Sequence, residues 1–270
     1  MRRPWSFRPG NRGDGSTMHP RVSIFVCGVQ KGGTTSLHAH FCEHPDLLAP
    51  RRKEIHFFDA EHFDWTTPDY ALLHGIFPPD SGARQRFDIT PIYGFWPPSI
   101  ARIRDYNPYA KLIYLFRDPF QRAWSQWCMR FARREESLPF AVAIRDGRRR
   151  MDGLPPLALE RRGHSYVERG FYGAQVRRAL VHFPRENILF LRSQDFWHDH
   201  RTTLGRIADF LSIAPFPDTG PKRDYVRPDA AWPSPPTEAD RLLFADFLHD
   251  DLSDFAALTG LDISEWPTFR

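Results

Sequence analysis

Residues 28 to 36 read Gly-Val-Gln-Lys-Gly-Gly-Thr-Thr-Ser, after the apolar β-forming run Val22 to Cys27 and before a segment of helical character. In a strand, loop and helix unit of this kind, the free N–H groups of the helix start and the positive end of its dipole converge on one point. An anion belongs there. Gly28, Gly32 and Gly33 let the chain bend tightly and approach that anion, Thr34, Thr35 and Ser36 add hydroxyl donors, and Lys31 adds a cation within the loop. The common nucleoside-triphosphate loop places its lysine after the last glycine, whereas Lys31 precedes Gly32 and Gly33. A P-loop kinase needs that other order, together with a magnesium-binding acid at a strand end. Asp118 could imitate the acid, but the lysine order is absent.

Two other groups of residues carry chemistry. In "KLIYLFRDPFQRAWSQW", residues 111 to 127, a strand ends in Arg117, a helix begins after Pro119, and Ser125 follows the arginine by eight residues. An arginine at the carboxyl end of a parallel strand and a serine on the next helix can face one crevice, and a guanidinium is a two-point donor to phosphate oxygens. In "RRKEIHFFD", residues 51 to 59, the polar Glu54, His56 and Asp59 interrupt Ile55, Phe57 and Phe58. Alternation in an extended chain puts Glu54 and His56 on the same side. Taken alone, such a pair is more often solvated or hydrogen-bonded in a structural role.

The elements that must position these residues are legible from periodicity. Residues 22 to 27, 112 to 116 and 187 to 191 are short apolar runs with β-formers, and "RQRFDIT", residues 84 to 90, is a weaker strand that gives way at Thr90 and Pro91. Strands alternating with helices predict an α/β fold: a three-layer αβα domain, P-loop-like, around a central parallel sheet of about four to five strands. Helix starts are expected at Thr67 and Pro68, at Pro119, and at Thr237 with Asp240 as a capping box. The arginine-rich stretch 145–163 and the Pro-rich stretch 215–236 have little periodicity and read as loops, plausible covers for a substrate.

At this point the loop "GVQKGGTTSL" resembles the 5′-phosphosulfate loop of sulfotransferases that use 3′-phosphoadenosine 5′-phosphosulfate (PAPS), most nearly the heparan sulfate 3-O- and N-sulfotransferase branch, as a small bacterial-type member. The resemblance spans roughly residues 22 to 260. It implies that Lys31 lies beside the bridging oxygen of the donor and stabilises the leaving phosphate, and that Arg117 and Ser125 hold the 3′-phosphate. The segment "EIHFFD" is similar to the family's E-x-H-F-F-D, which implies Glu54 as the general base, His56 as the group that polarises or positions the acceptor or a sulfuryl oxygen, and Asp59 as its support. The resemblance further implies Tyr172, in "RGFYGAQVRRALVHFP", near the donor, and Lys222 and Arg223, in "GPKRDYVRPD", over the 3′-phosphate. The family's Glu-Lys-Thr-Pro after the second strand is replaced by "FDITPIY", with Asp88 and Thr90 as substrate-side or supporting residues. The missing lysine argues against a sulfated-glycan acceptor and leaves donor binding untouched.

The implied reaction is in-line transfer of a sulfuryl group from PAPS to an acceptor hydroxyl of a carbohydrate, lipid or secondary metabolite, with no metal required. A catalytically inactive nucleotide-binding relative is the other alternative, although such a binder has no use for Glu54. Composition is compatible with this. The 270 residues fit one large domain, 21–270, after an Arg-, Gly- and Pro-rich stretch 1–20 that reads as a flexible tail without the apolar core of a signal peptide. Only Lys31, Lys53, Lys111 and Lys222 are lysines among the 37 basic residues, so the net charge of +4 is carried by arginine. A small-molecule or glycan acceptor is expected as partner, with no nucleic acid. Cys27, Cys42 and Cys128 have neither metal-type spacing nor an even count, and no apolar run reaches membrane-spanning length, so the chain reads as cytoplasmic and reduced.

Overall fold

The computed structural model describes residues 21–79, 84–222 and 232–270. In chain order the strands and α-helices are β1 (Val22–Gly28), α1 (Thr34–Glu43), β2 (Leu47–Leu48), α2 (Ala71–His74), β3 (Gln85–Ile89), α3 (Ser99–Tyr106), β4 (Lys111–Phe116), α4 (Pro119–Ala132), α5 (Phe140–Ile144), α6 (Arg161–His164), α7 (Tyr172–His182), β5 (Ile188–Arg192), α8 (Ser193–His198), α9 (His200–Leu211) and α10 (Glu238–Thr259). The five strands form one parallel sheet in the order β2-β3-β1-β4-β5. The chain order reverses across β1, with β3 on one side and β4 on the other, and ligands of open parallel sheets bind beyond the strand ends at such a switch point.

Both faces of the sheet are covered, because alternate side chains of each buried strand point to opposite sides. Ile24 and Val26 of β1, with Phe87, Ile113 and Leu115, pack against Leu37 and Phe41 of α1 and Leu204, Ile207 and Leu211 of α9. Phe25 and Cys27, with Leu112, Tyr114 and Phe116, face an aromatic-rich layer that includes Trp127 of α4, Tyr172 and Val176 of α7, and Phe244 and Phe255 of α10. This is the three-layer αβα arrangement that periodicity predicts. The strand missing from the sequence reading is β2, whose two residues are too few to make a pattern.

The helix starts follow the expected chemistry at two of three places. Asp118 caps α4 by accepting from Gln121 N at 2.8 Å, and Thr237 and Asp240 form a reciprocal capping box at the start of α10. After Thr67 and Pro68, by contrast, only the short α2 forms. Helix α7 begins at Tyr172, within the segment singled out for it. The stretch 145–163 is not the open loop expected: it contains a 3-10 turn at Asp146–Met151 and enters α6 at Arg161. Ion pairs from Arg148 to Glu168 and from Arg150 to Glu136, each under 3 Å, tie it down.

The link from β1 to α1 requires glycine at specific points. Gly33, the N-cap of α1, has φ 97°, in the left-handed region that favours glycine. A Cβ on Gly32 would meet the Leu115 carbonyl oxygen at 2.3 Å and that of Val29 at 2.9 Å, so the loop lies directly on the end of β4. Gly32→Ala must therefore push the loop off β4. It is expected to lower stability by about 1–3 kcal/mol and to misplace the loop donors, measured as a lower thermal midpoint that adenosine 3′,5′-bisphosphate no longer raises. A wild-type midpoint and response would remove the close approach as a constraint.

Candidate active site

The loop is fixed from behind by bonds to β4 and α8. Val29 N donates to Leu115 O at 3.1 Å, and Ser193 Oγ, at the start of α8, donates to Gly32 O at 2.6 Å. The leading N–H groups of α1, on Thr34, Thr35 and Ser36, have no preceding helical turn to bond to. They open onto a cleft of about 610 Å³ that Lys31, Gly33, Thr34, Thr35 and Ser36 line together with Glu54, Arg117 and Ser125. Gly28 and Gly32 serve the backbone path: Gly28 ends β1, where an added Cβ would lie 3.2 Å from the Tyr114 ring.

The cations of this cleft converge from separate elements. Arg117, at the end of β4, donates from Nη1 to the Lys31 carbonyl at 3.2 Å, and its guanidinium lies 5.0 Å from the centre of the Trp197 ring. Burial, and then the charges of Arg117 and Arg133, bring the Lys31 ammonium down to about 8. An arriving anion relieves that repulsion, so the site is electrostatically prepared for one. Met129 and Arg133 carry no motif of their own, although they lie one and two helical turns beyond Ser125, Met129 on α4 and Arg133 at its C-cap, at spacings of four. Trp197 and His200, from the far side of β5, and Lys53, which donates to Thr35 Oγ1 at 2.6 Å, carried no local signal.

Glu54 and His56 do meet, but not by strand alternation. The segment forms no strand, and both residues have φ 57°, in the left-handed region. His56 Nε2 approaches Glu54 Oε2 at 3.4 Å, and its Nδ1 bonds to Asp59 Oδ2 at 3.0 Å. Burial favours the neutral imidazole, yet the hydrogen bonds that the ring donates to Asp59 and Glu54, and their negative charges, outweigh it and raise the ring to about 9. At neutral pH His56 is therefore a cation beside Glu54 rather than a second base. Lys53 Nζ stands on another side of the same carboxylate, 3.8 Å from Oε1.

The remaining expected residues fall into other roles. Asp88 is fully buried, accepts from Thr90 Oγ1 at 2.7 Å and from the Tyr93 hydroxyl at 2.8 Å, and is pushed up by burial to about 6. The Tyr93 oxygen in turn accepts from Phe57 N at 3.1 Å. Asp88 and Thr90 thus sit behind the Glu54 segment, bonded to the tyrosine that holds it, and neither is among the residues lining the cleft. Tyr172 does not reach the cleft either. It is fully buried against Phe116, Phe255 and Trp266, and its hydroxyl donates to the Arg117 carbonyl at 2.8 Å, so it fixes the backbone that carries Arg117. Lys222 lines the cleft while bonded to Glu43 at 2.7 Å, and Arg223 lies outside the described residues. Asp118 is spent on two backbone groups, Gln121 N and Thr268 N, which leaves the kinase reading without its metal-binding acid.

Fold and site together define an α/β protein of the phosphate-loop kind, with a lysine-bearing loop, an arginine and serine pair and a carboxylate lining a single cleft. Comparison with known proteins places it further. Residues 21–219 match the family model described as the sulfotransferase domain, and the chain belongs to the sulfotransferase family. Over 206 residues it is 30% identical to human heparan sulfate glucosamine 3-O-sulfotransferase 3B1, covering 74% of this chain and 48% of that protein. It is 28% identical over 207 residues to human bifunctional heparan sulfate N-deacetylase/N-sulfotransferase 3, covering 71% of this chain and 22% of that one. The chain thus spans about half or less of the length of these relatives. A sulfotransferase from Alicyclobacillus acidocaldarius superposes with a TM-score of 0.72 at 27% identity, covering 92% of this chain and 99% of the other. Among the described residues, no helix is long and apolar enough to cross a membrane.

Proposed function

We propose that the cleft binds PAPS and that the protein transfers its sulfuryl group to an acceptor hydroxyl, with Glu54 as general base. One observation carries this reading: Lys31, the loop hydroxyls, Arg117, Ser125 and Glu54, drawn from three separate stretches of sequence, line one cleft. The chemistry of the donor set fits a doubly phosphorylated nucleotide, since backbone N–H groups and a lysine gather at one corner and an arginine and a serine at another. When bound, PAPS supplies a sulfuryl group on a phosphate leaving group.

The chain's own residues then do the rest. Glu54 takes the hydroxyl proton of the acceptor as the acceptor oxygen forms its bond to sulfur. Lys31 and the helix-end N–H groups meet the charge that collects on the bridging oxygen as the old S–O bond breaks. His56, a cation at neutral pH, holds one oxygen of Glu54 and leaves the carboxylate oriented. The Arg117 and Ser125 corner keeps the nucleotide in register so that displacement is in line.

A thermal-shift comparison tests the donor. Stabilisation by adenosine 3′,5′-bisphosphate and not by ATP with magnesium is expected; stabilisation by ATP with magnesium alone refutes the reading. Arg117→Ala is expected to weaken bisphosphate binding by about 2–5 kcal/mol, the loss of a charge-assisted partner of a buried phosphate; unchanged affinity by calorimetry moves that phosphate elsewhere. The acceptor class is tested by mass-spectrometric transfer screening against heparan oligosaccharides, phenols, lipids and small metabolites. Because the buried Ile89 stands where the resembled family's Glu-Lys-Thr-Pro has its acceptor-binding lysine, uncharged acceptors are expected to outperform sulfated glycans.

A further inference from the structure

The geometry points to Arg162, from the arginine-rich segment 145–163, as a positioning residue for the Glu54 base, acting through Asp59 and His56. The inference rests on the assignment of Glu54 and His56 above. Four side chains of alternating charge form one line of contacts. Arg162 Nη1 donates to Asp59 Oδ2 at 2.5 Å while Nη2 donates to the Asp59 main-chain oxygen, Asp59 Oδ2 accepts from His56 Nδ1 at 3.0 Å, and His56 Nε2 meets Glu54 Oε2 at 3.4 Å. The Asp59 side chain is fully buried, so it cannot exchange Arg162 for water.

Two further facts make this more than charge neutralisation. Glu54 and His56 both hold φ 57°, a conformation L side chains disfavour, so the local chain does not itself keep the pair in place and outside contacts must do so. Arg162 is fixed well enough to be such a contact. Its guanidinium lies 4.4 Å from the centre of the Trp96 ring, its carbonyl accepts from Arg169 Nη2 at 2.9 Å, and the preceding Arg161 donates to Leu154 O at 2.9 Å. The fork grips Asp59 by side chain and main chain at once, which fixes where the His56 ring must point. An ammonium could neutralise Asp59 but lacks the rigid two-nitrogen fork that fixes side chain and main chain together.

Proton NMR of the protein with adenosine 3′,5′-bisphosphate separates positioning from neutralisation. The wild type is expected to show a downfield resonance for the His56 Nδ1 proton bonded to Asp59, identified by its loss in His56→Gln. Arg162→Lys, which keeps a charge beside Asp59 and so protects the fold, is expected to shift or broaden that resonance, and Arg162→Met to abolish it, both with bisphosphate affinity as in the wild type. An unchanged resonance in Arg162→Lys, with bisphosphate bound normally, overturns the role of Arg162 alone. Failure of the wild type to bind the bisphosphate removes the underlying assignment instead.

Discussion

Glu54→Gln is expected to lower the turnover of sulfuryl transfer by about 10²–10⁴-fold while leaving affinity for adenosine 3′,5′-bisphosphate unchanged. An acceptor hydroxyl holds its proton tightly at neutral pH, so attack on sulfur depends on a group that receives the proton as the new bond forms. Glutamine keeps the size and one oxygen of the side chain, and loses that capacity. The surrounding contacts argue that the substitution is local: Glu54 is held by Lys53 and His56, and the loop behind it by Tyr93. Calorimetry for the bisphosphate and single-turnover kinetics for transfer give the two halves of the result. Lost bisphosphate binding, or turnover retained at the wild-type level, contradicts the role of base.

The second large effect is that of Lys31. Lys31→Ala is expected to cost about 10²–10³-fold in turnover, the amount typical of removing one donor aimed at developing negative charge. Unlike Glu54→Gln, it should also alter nucleotide binding, and in a pH-dependent way. In the free protein burial and the charges of Arg117 and Arg133 lower Lys31 to about 8, and a bound phosphate favours its protonated form. The protonated lysine is the binding form, so the wild-type affinity for the bisphosphate is at its full value below about 8 and falls as pH rises beyond it, by at most about tenfold per pH unit. Lys31→Ala should be weaker at pH 7 and show no such fall. His56, at about 9, titrates nearby, but it contacts the base and not the loop, so it should act on turnover and leave the binding profile alone. A wild-type affinity that is flat from pH 7 to 10 refutes the protonation state assigned to Lys31.

The two substitutions divide the cleft along a line that the sequence already drew. The loop residues and the Arg117 to Ser125 spacing are local patterns: a β-run, glycines, hydroxyls and a proline at a helix start each act within a few residues of chain, and their placement follows from backbone geometry alone. The capping box of α10 belongs to the same class. The Glu54 segment was legible as a composition but not as a conformation. Its left-handed residues are held by Asp59, Tyr93 and Arg162, of which only Asp59 lies nearby in sequence, and no periodicity encodes such a contact.

Tyr172 marks the same boundary from the other side. A tyrosine early in a helix could equally face a nucleotide or a core, and the difference lies in whether Phe255 and Trp266 close over it, which depends on where α10 and the residues after it return to the sheet. The segment 145–163, without periodicity, reads as a loose cover, yet its arginines find Glu136, Glu168 and Asp59 and become structure. By itself the sequence determined four of the five strands, the glycine-rich loop and the chain order of the three motifs, because each is built from short-range backbone preference and hydrophobic alternation. Only the tertiary structure decided which charges neighbour Lys31, that His56 is a cation, and that Asp88 and Thr90 sit behind the Glu54 segment, because burial and pairing between distant residues set the cost of each charge.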